Sequence, residues 1–339
     1  MSYKISNSKF NEILERLSND YEIYAPVRIK GRGRFSDTDN IRYQKISKVE
    51  EIEYKEKSRF SAKEIPFPAT ETIFNIVGEQ LLEPLVKNRK FLVFLRSCDI
   101  HAMDKLDSIF LKNGDVKDPY YKRKRDNISY IVMGCNKSFE NCFCVSMGTN
   151  KTDNYSMGIG FEQDSVMLEV KDSIFFDYFN NLDKIDFKPD FVEENDIVVN
   201  LPDGEKIDTS LFNDEMWEEY AKRCIACGRC NFSCPTCSCF TTVDIAYDDN
   251  VDNGERRRTW AGCHVDKFTD MAGGHVFRND YGSRMRFKTM HKIYDFNKRF
   301  GSHMCVGCGR CDDQCPEYIS FSNCINKVTK KVNDTIKEG

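Results

Sequence analysis

Near the N-terminus, apolar Phe10, Ile13, Leu14 and Leu17 recur at i, i+3, i+4 and i+7, the spacing of an amphipathic helix. The continuous apolar run FLVFLRS, from Phe91, predicts a buried strand, with a helix over Ala102 to Leu111 behind it. ISYIVMG (Ile128 to Gly134) predicts a second buried strand, and SVMLEV (Ser165 to Val170) resembles both. The pattern changes at PDGEK, Pro202 to Lys206, a polar, turn-rich stretch that reads as a linker. Beyond it, FNDEMWEEYAKR (Phe212 to Arg223) and FKTMHKIYDFNKRF (Phe287 to Phe300) are amphipathic segments predicted to be helical. Between them, TTVDIAY, a turn at Asp249 to Gly254 and RRRTWAG suggest a short hairpin. The expected fold class is α+β: a mixed α/β domain over 1–202, then a mainly helical domain over 203–339.

The chain has 339 residues, enough for two domains, with 40% hydrophobic and 31% charged residues and a formal net charge of −4. A mildly acidic balance argues against nucleic acid as a partner. The purely apolar run Phe91 to Leu95 is far short of the roughly 20 residues of a membrane span. The N-terminus lacks the apolar core of a signal peptide, so a cytoplasmic protein is expected. In that compartment its 16 cysteines point to metal or catalysis rather than disulfides.

Three quarters of those cysteines lie between Cys224 and Cys324. They include two runs of identical spacing, CIACGRCNFSCP from Cys224 and CVGCGRCDDQCP from Cys305. C-x2-C-x2-C-x3-C-P is the bacterial ferredoxin signature, in which the fourth cysteine serves the other cluster. A four-iron cluster needs one thiolate per iron, and three cysteines two residues apart can wrap it in a tight loop. The expected ligands are therefore Cys224, Cys227, Cys230 and Cys315 for one [4Fe-4S] cluster. Cys305, Cys308, Cys311 and Cys234 would hold the other. The stretch of about 70 residues between the runs then forms a closed excursion. Zinc, which favours spaced C-x2-C pairs, fits this pattern poorly. Gly228 and Gly309 allow close backbone approach, and Arg229 and Arg310 are expected to set positive charge beside the clusters.

Cys98 and Cys135 each follow a predicted buried strand, and Cys142 and Cys144 share a loop. If the strands are neighbours, the four thiols meet on one rim and hold a third cluster. A zinc site or plain burial are the alternatives, and Asp99 or His101 could replace a thiolate. Cys237, Cys239, Cys263 and Cys324 are read as packing around the clusters, and His264 and His275 receive no role. GRGRFS, Gly31 to Ser36, is only a partial match to a dinucleotide loop. The basic runs Lys122 to Arg125 and Arg256 to Arg258 read as solvated faces, or else as docking sites for an acidic partner.

Across nearly the full length, the chain resembles the iron–sulfur electron-transfer component of the anaerobic sulfite reductases. The likeness rests on FSAKEIPFPATETIF, RSCDIHAMDKLDSIF, GCNKSFENCFCVSMG, CIACGRCNFSCPTCSCF, WAGCHVDKF, AGGHVFR and CVGCGRCDDQCP. That resemblance implies an electron-transfer subunit without a catalytic centre of its own. It would relay single electrons from an FAD- and NAD(P)H-binding reductase subunit to a sirohaem subunit that reduces sulfite to sulfide. The alternative is the β subunit of a soluble nickel–iron sulfhydrogenase, which shares a similar motif set. A reading of another class is an iron–sulfur redox sensor or scaffold.

Overall fold

The computed structural model describes residues 1–338 except 36, 86–88, 248, 250 and 251, with side chains as far as 334. The chain opens with β1 (Ser2–Ser6), α1 (Asn7–Leu17), β2 (Tyr21–Ile29) and β3 (Asn40–Lys45). It continues through β4 (Thr70–Val77), β5 (Gln80–Leu82), β6 (Lys90–Leu95), α2 (Ser97–Leu111) and α3 (Pro119–Arg125). Next come β7 (Ile128–Met133), β8 (Met157–Phe161), β9 (Ser165–Val170) and β10 (Lys184–Ile185). The second part carries α4 (Glu218–Arg223), α5 (Arg229–Phe232), β11 (Phe240–Ala246), β12 (Asn253–Trp260) and α6 (Tyr281–Met290). It ends with α7 (Phe296–Phe300), α8 (Arg310–Gln314) and α9 (Phe321–Glu338).

Eight strands form one sheet in the order β10-β1-β9-β8-β7-β6-β2-β3. β2, β6, β7 and β8 run parallel at its centre. The runs in β6 and β7 are almost wholly apolar because both faces are covered. Alternation divides them: Leu92, Phe94, Ile131 and Met133 pack with Phe10, Ile13, Leu14 and Leu17 of α1. Val93, Leu95, Tyr130 and Val132 pack on the other face with Ile100, Met103, Leu106 and Phe110 of α2. Ser6 caps α1 by accepting from Lys9 N, and Asp118 caps α3 ahead of Pro119.

The second part is more mixed than expected. The hairpin β11–β12 does form, although 248, 250 and 251 of its turn lie outside the described residues. β12 also pairs with β4, and β4 with β5, making a four-stranded sheet that draws on both halves of the chain. The second part is therefore helices plus a hairpin that joins a sheet shared with the first half. FNDEMWEEYAKR forms single 3-10 turns before α4, because Asp208 and Asp214 accept from Ser210 and Met216 amides and restart the chain twice. α6 runs into a π-helical turn, His291–Asp295, and then α7. Gly31 lies in the loop between antiparallel β2 and β3, with no helix after it, while Ser36 lies outside the described residues. None of the helices searched, among the described residues, is long and apolar enough to cross a membrane.

Candidate iron–sulfur site

The two cysteine runs fold alike. In each, the residue two after the first cysteine and the glycine after the second cysteine take positive φ: Ala226 and Gly228 at 53° and 70°, Gly307 and Gly309 at 63° and 68°. These left-handed residues curl the chain around its own thiols and start α5 and α8. The amide of Ala226 donates to Cys224 Sγ at 3.4 Å, and that of Gly307 to Cys305 Sγ at 3.5 Å. In the later run the glycines also permit close docking. A Cβ on Gly309 would stand 2.2 Å from Asn141 O, and one on Gly307 2.5 Å from Phe143 O.

Two cavities lie between the runs. One is lined by Cys224, Cys227 and Cys230 together with Cys315, and Cys311 and Lys288 stand on its wall. The other is lined by Cys305, Cys308, Cys311 and Cys234, again with Lys288. Three thiols of one run thus meet the fourth of the other around each void. Among the described residues no three His, Cys, Asp or Glu side chains are arranged to hold a single metal ion. Burial pushes the Cys305 thiol up to about 12 and Cys308 up to about 11, so thiolates there call for nearby cations. Cys227 is exposed, which puts the first cavity at the surface.

The four earlier cysteines gather at the C-terminal ends of β6 and β7, the customary location for ligands on parallel sheets. Cys98 enters the first turn of α2, and Cys135 follows β7, where Arg96 Nη1 lies 3.6 Å from its Sγ. Cys142 and Cys144 complete the group and are buried; burial, with Cys142 beside it, pushes Cys144 up to about 12. This set adjoins the later run: Cys98 packs with Val306 and Cys308, and Cys142 Sγ lies 3.5 Å from Cys308 O. Phe143 N donates to Gly307 O at 2.8 Å, and Thr149 Oγ1 to Val306 O at 2.7 Å. Asp99 and His101 have other partners. Asp99 binds Arg310, and His101 Nε2 lies 2.9 Å from Lys151 O.

Charge is where the structure departs most from expectation. Arg310 is 2% exposed and spends its guanidinium on Asp99 at 2.7 and 2.9 Å and on Ser58, while Arg229 is exposed. Neither arginine is the free positive charge beside a cavity. That place belongs to Lys288 and Lys292, both buried, with Lys63 close to Cys237 and Asn231. Sequence reading missed them because lysine on an amphipathic helix signals the solvent face. The one available hint was their i, i+4 spacing just before a cysteine run. The basic runs Lys122 to Arg125 and Arg256 to Arg258 are ion-paired within the chain, for example Arg125 with Asp107 at 2.9 Å and Arg256 with Asp244 at 2.6 Å. Lys124 and Arg258 both reach Glu71, and Arg123 and Arg257 reach Glu83 and Glu255.

The remaining cysteines surround the site. Cys237 hydrogen-bonds Cys234 and holds that thiol low, with Lys292 and Lys63 adding to the effect against the burial of the site. Asn231 Nδ2 lies 3.7 Å from Cys237 Sγ and 3.3 Å from Cys263 Sγ. Cys324 is fully buried, 3.4 Å from Thr289 Oγ1, whereas Cys239 is exposed. His264 Nδ1 lies 3.4 Å from Cys224 Sγ, and burial pulls its pKa down to about 3. His275 is exposed.

Residues 223–319 match the family model of the 4Fe-4S dicluster domain. Both cavities lie within that dicluster segment, apart from what the N-terminal half and α9 add to their walls. The sulfhydrogenase 2 subunit beta of Pyrococcus furiosus is 29% identical over 344 residues, covering 96% of this chain and 97% of the relative. No solved structure matches. The relative corresponds to the sulfhydrogenase alternative rather than to the sulfite reductase reading.

Proposed function

We propose that this chain is the iron–sulfur electron-transfer subunit of a multi-subunit oxidoreductase of the sulfhydrogenase β type. Cys224, Cys227, Cys230 and Cys315 hold one [4Fe-4S] cluster. Cys305, Cys308, Cys311 and Cys234 hold a second, and Cys98, Cys135, Cys142 and Cys144 a third. Residues 1–202 carry the last of these, and 203–339 form the ferredoxin-like part. The observation that carries the reading is the pair of adjoining cavities, each bordered by three thiols of one run and the fourth of the other. The donor set is all thiol, the eight thiols of the two runs line the two cavities, and backbone amides already point at Cys224, Cys305 and Cys315.

Bound there, the clusters supply one-electron carriers whose potentials follow burial, net charge and hydrogen bonds to sulfur. The chain's own residues set those conditions. The cavities share the wall of Lys288, Cys311 and Phe321, and Cys308 joins the second cavity to the Cys98–Cys144 group. The three sites therefore follow one another from the exposed Cys227 to the C-terminal ends of β6 and β7. Such a series suits relay between partners bound at its two ends.

Partners then supply the two-electron ends: a flavin subunit that takes hydride, and a catalytic subunit. The full-length relative favours a hydrogenase partner. The motifs shared with the anaerobic sulfite reductases favour a sirohaem partner as the second reading. Anaerobic purification of the native complex decides between them. Nickel in the largest subunit is expected, and sirohaem absorption there would overturn the assignment in favour of sulfite reductase. A sensor or scaffold predicts no sustained turnover, whereas a relay passes electrons from NAD(P)H through the flavin subunit for many cycles.

A further inference from the structure

Three lysines are buried among the cluster cysteines: Lys63 at 2% exposure, Lys288 at 4% and Lys292 at 2%. Among the described residues, none of the three forms an ion pair with a carboxylate. Lys292 Nζ donates to Thr236 Oγ1 at 2.8 Å and lies 3.6 Å from Met304 Sδ. Lys63 Nζ donates to the carbonyls of Asn231 and Cys237. Lys288 Nζ stands 4.9 Å from the Phe321 ring and faces the sulfurs of Cys230, Cys311, Cys237 and Cys263. A buried ammonium without a counter-charge is strongly unfavourable, and Lys288 and Lys292 stand one helical turn apart, where like charges repel. Cysteine sulfurs surround Lys288, and the carboxylates of Asp312 and Glu317 line the same first cavity.

Among the described residues Lys288 is the one charged side chain that borders both cavities, whereas Lys292 borders only the second. Resting on the cluster assignment above, we propose that Lys288 is a charge shared by the two ferredoxin-type sites that raises the reduction potential of both, with Lys292 adding to the second alone. The physical ground is that reduction adds one negative charge to a cluster. A fixed ammonium at the wall therefore stabilises the reduced form more than the oxidised form, and low solvent access keeps the interaction strong. The shared position shifts both potentials in the same direction, and Lys292 then offsets the second from the first.

The test is an EPR-monitored redox titration of the anaerobically purified complex carrying Lys288→Met, Lys292→Met or Lys288→Arg. Lys288→Met is expected to lower the reduced fraction at a fixed potential at least tenfold for two of the couples, about 59 mV each for one-electron steps. Lys292→Met is expected to move one couple only. Lys288→Arg keeps the charge and stays within threefold of the native protein. If Lys288→Met loads full iron and no couple moves by more than threefold, the proposal is overturned. If Lys288→Met prevents iron loading while Lys288→Arg permits it, the charge is needed to hold the anionic clusters, in support. Failure of all three, Arg included, assigns the position to shape and overturns the proposal. Native protein with no iron would sink the cluster assignment itself, an outcome distinct from each of these.

Discussion

Asp99→Asn probes how the later cysteine run is fastened to the large sheet. The Arg310–Asp99 pair is bidentate at 2.7 and 2.9 Å, with the two side chains 2% and 1% exposed. Arg310 Nε also donates to Ser58 O at 2.9 Å, and Tyr43 OH to Asp99 Oδ2 at 3.4 Å. Burial, with Asp99 beside it, holds the Tyr43 phenol well above its ordinary value, so it remains a donor. Asparagine keeps the shape but removes the negative charge, leaving a guanidinium buried between Cys308 and the start of α2. Removing one partner of a buried pair costs about 3–5 kcal/mol. At about 1.4 kcal/mol per factor of ten, local opening becomes at least a hundredfold more frequent. Amide hydrogen exchange of the anaerobic holoprotein reads this directly. Residues 97–106 and 306–314 should exchange faster by that factor, while α1, on the opposite face of the sheet, should not change. The double variant Asp99→Leu/Arg310→Met should cost less than Asp99→Asn alone, because paired apolar replacements of buried ions are often close to neutral. Acceleration below about fivefold in Asp99→Asn (roughly 1 kcal/mol) would refute the reasoning.

Other perturbations test separate contacts. Gly309→Ala adds a Cβ 2.2 Å from Asn141 O at φ 68°, so the later run should undock and its cluster should be lost from the iron count. Gly148→Ala, at φ 64° with open space around it, incurs only the backbone strain of about 1–3 kcal/mol and should keep its iron. Cys234→Ser should alter the EPR signal of the later run's cluster and leave that of the earlier run; the reverse result would refute the crossed ligand sets. Burial, with Lys292 beside it, pulls His291 from 6.5 down to about 4. The unfolded chain therefore takes up a proton that the fold does not, and stability is lost as pH falls from about 6.5 toward 4. His291→Gln should flatten that part of a calorimetric stability profile, and an equally steep profile would contradict the assignment.

Much of this architecture is legible along the chain where contacts are local or the pattern is unambiguous. All four apolar positions read in α1 are buried, and the runs read as β6, β7 and β9 are strands. The adjacency of β6 and β7, the condition for gathering Cys98 and Cys135, holds in the sheet. The helix placed at Ala102 begins earlier, at Ser97, so that Cys98 and Asp99 fall in its first turn. What could not be read is non-local. β12 finds β4 across some 180 residues, and no local pattern encodes that pairing. Arg310 reads as cluster electrostatics along the chain because its partner Asp99 is equally distant in sequence. Lys288 and Lys292 defeat hydropathy for a chemical reason. Their burial sets them among cysteine sulfurs from distant segments, and composition does not reveal where such groups meet.

The central claim is that eight thiols in crossed sets, with four more behind them, hold iron–sulfur clusters. Anaerobic analysis of metal and acid-labile sulfide in the purified protein tests it most directly. About 12 iron atoms and about 12 sulfides per chain are expected from three four-iron clusters. Stoichiometric zinc with no labile sulfide in a colourless protein would contradict it.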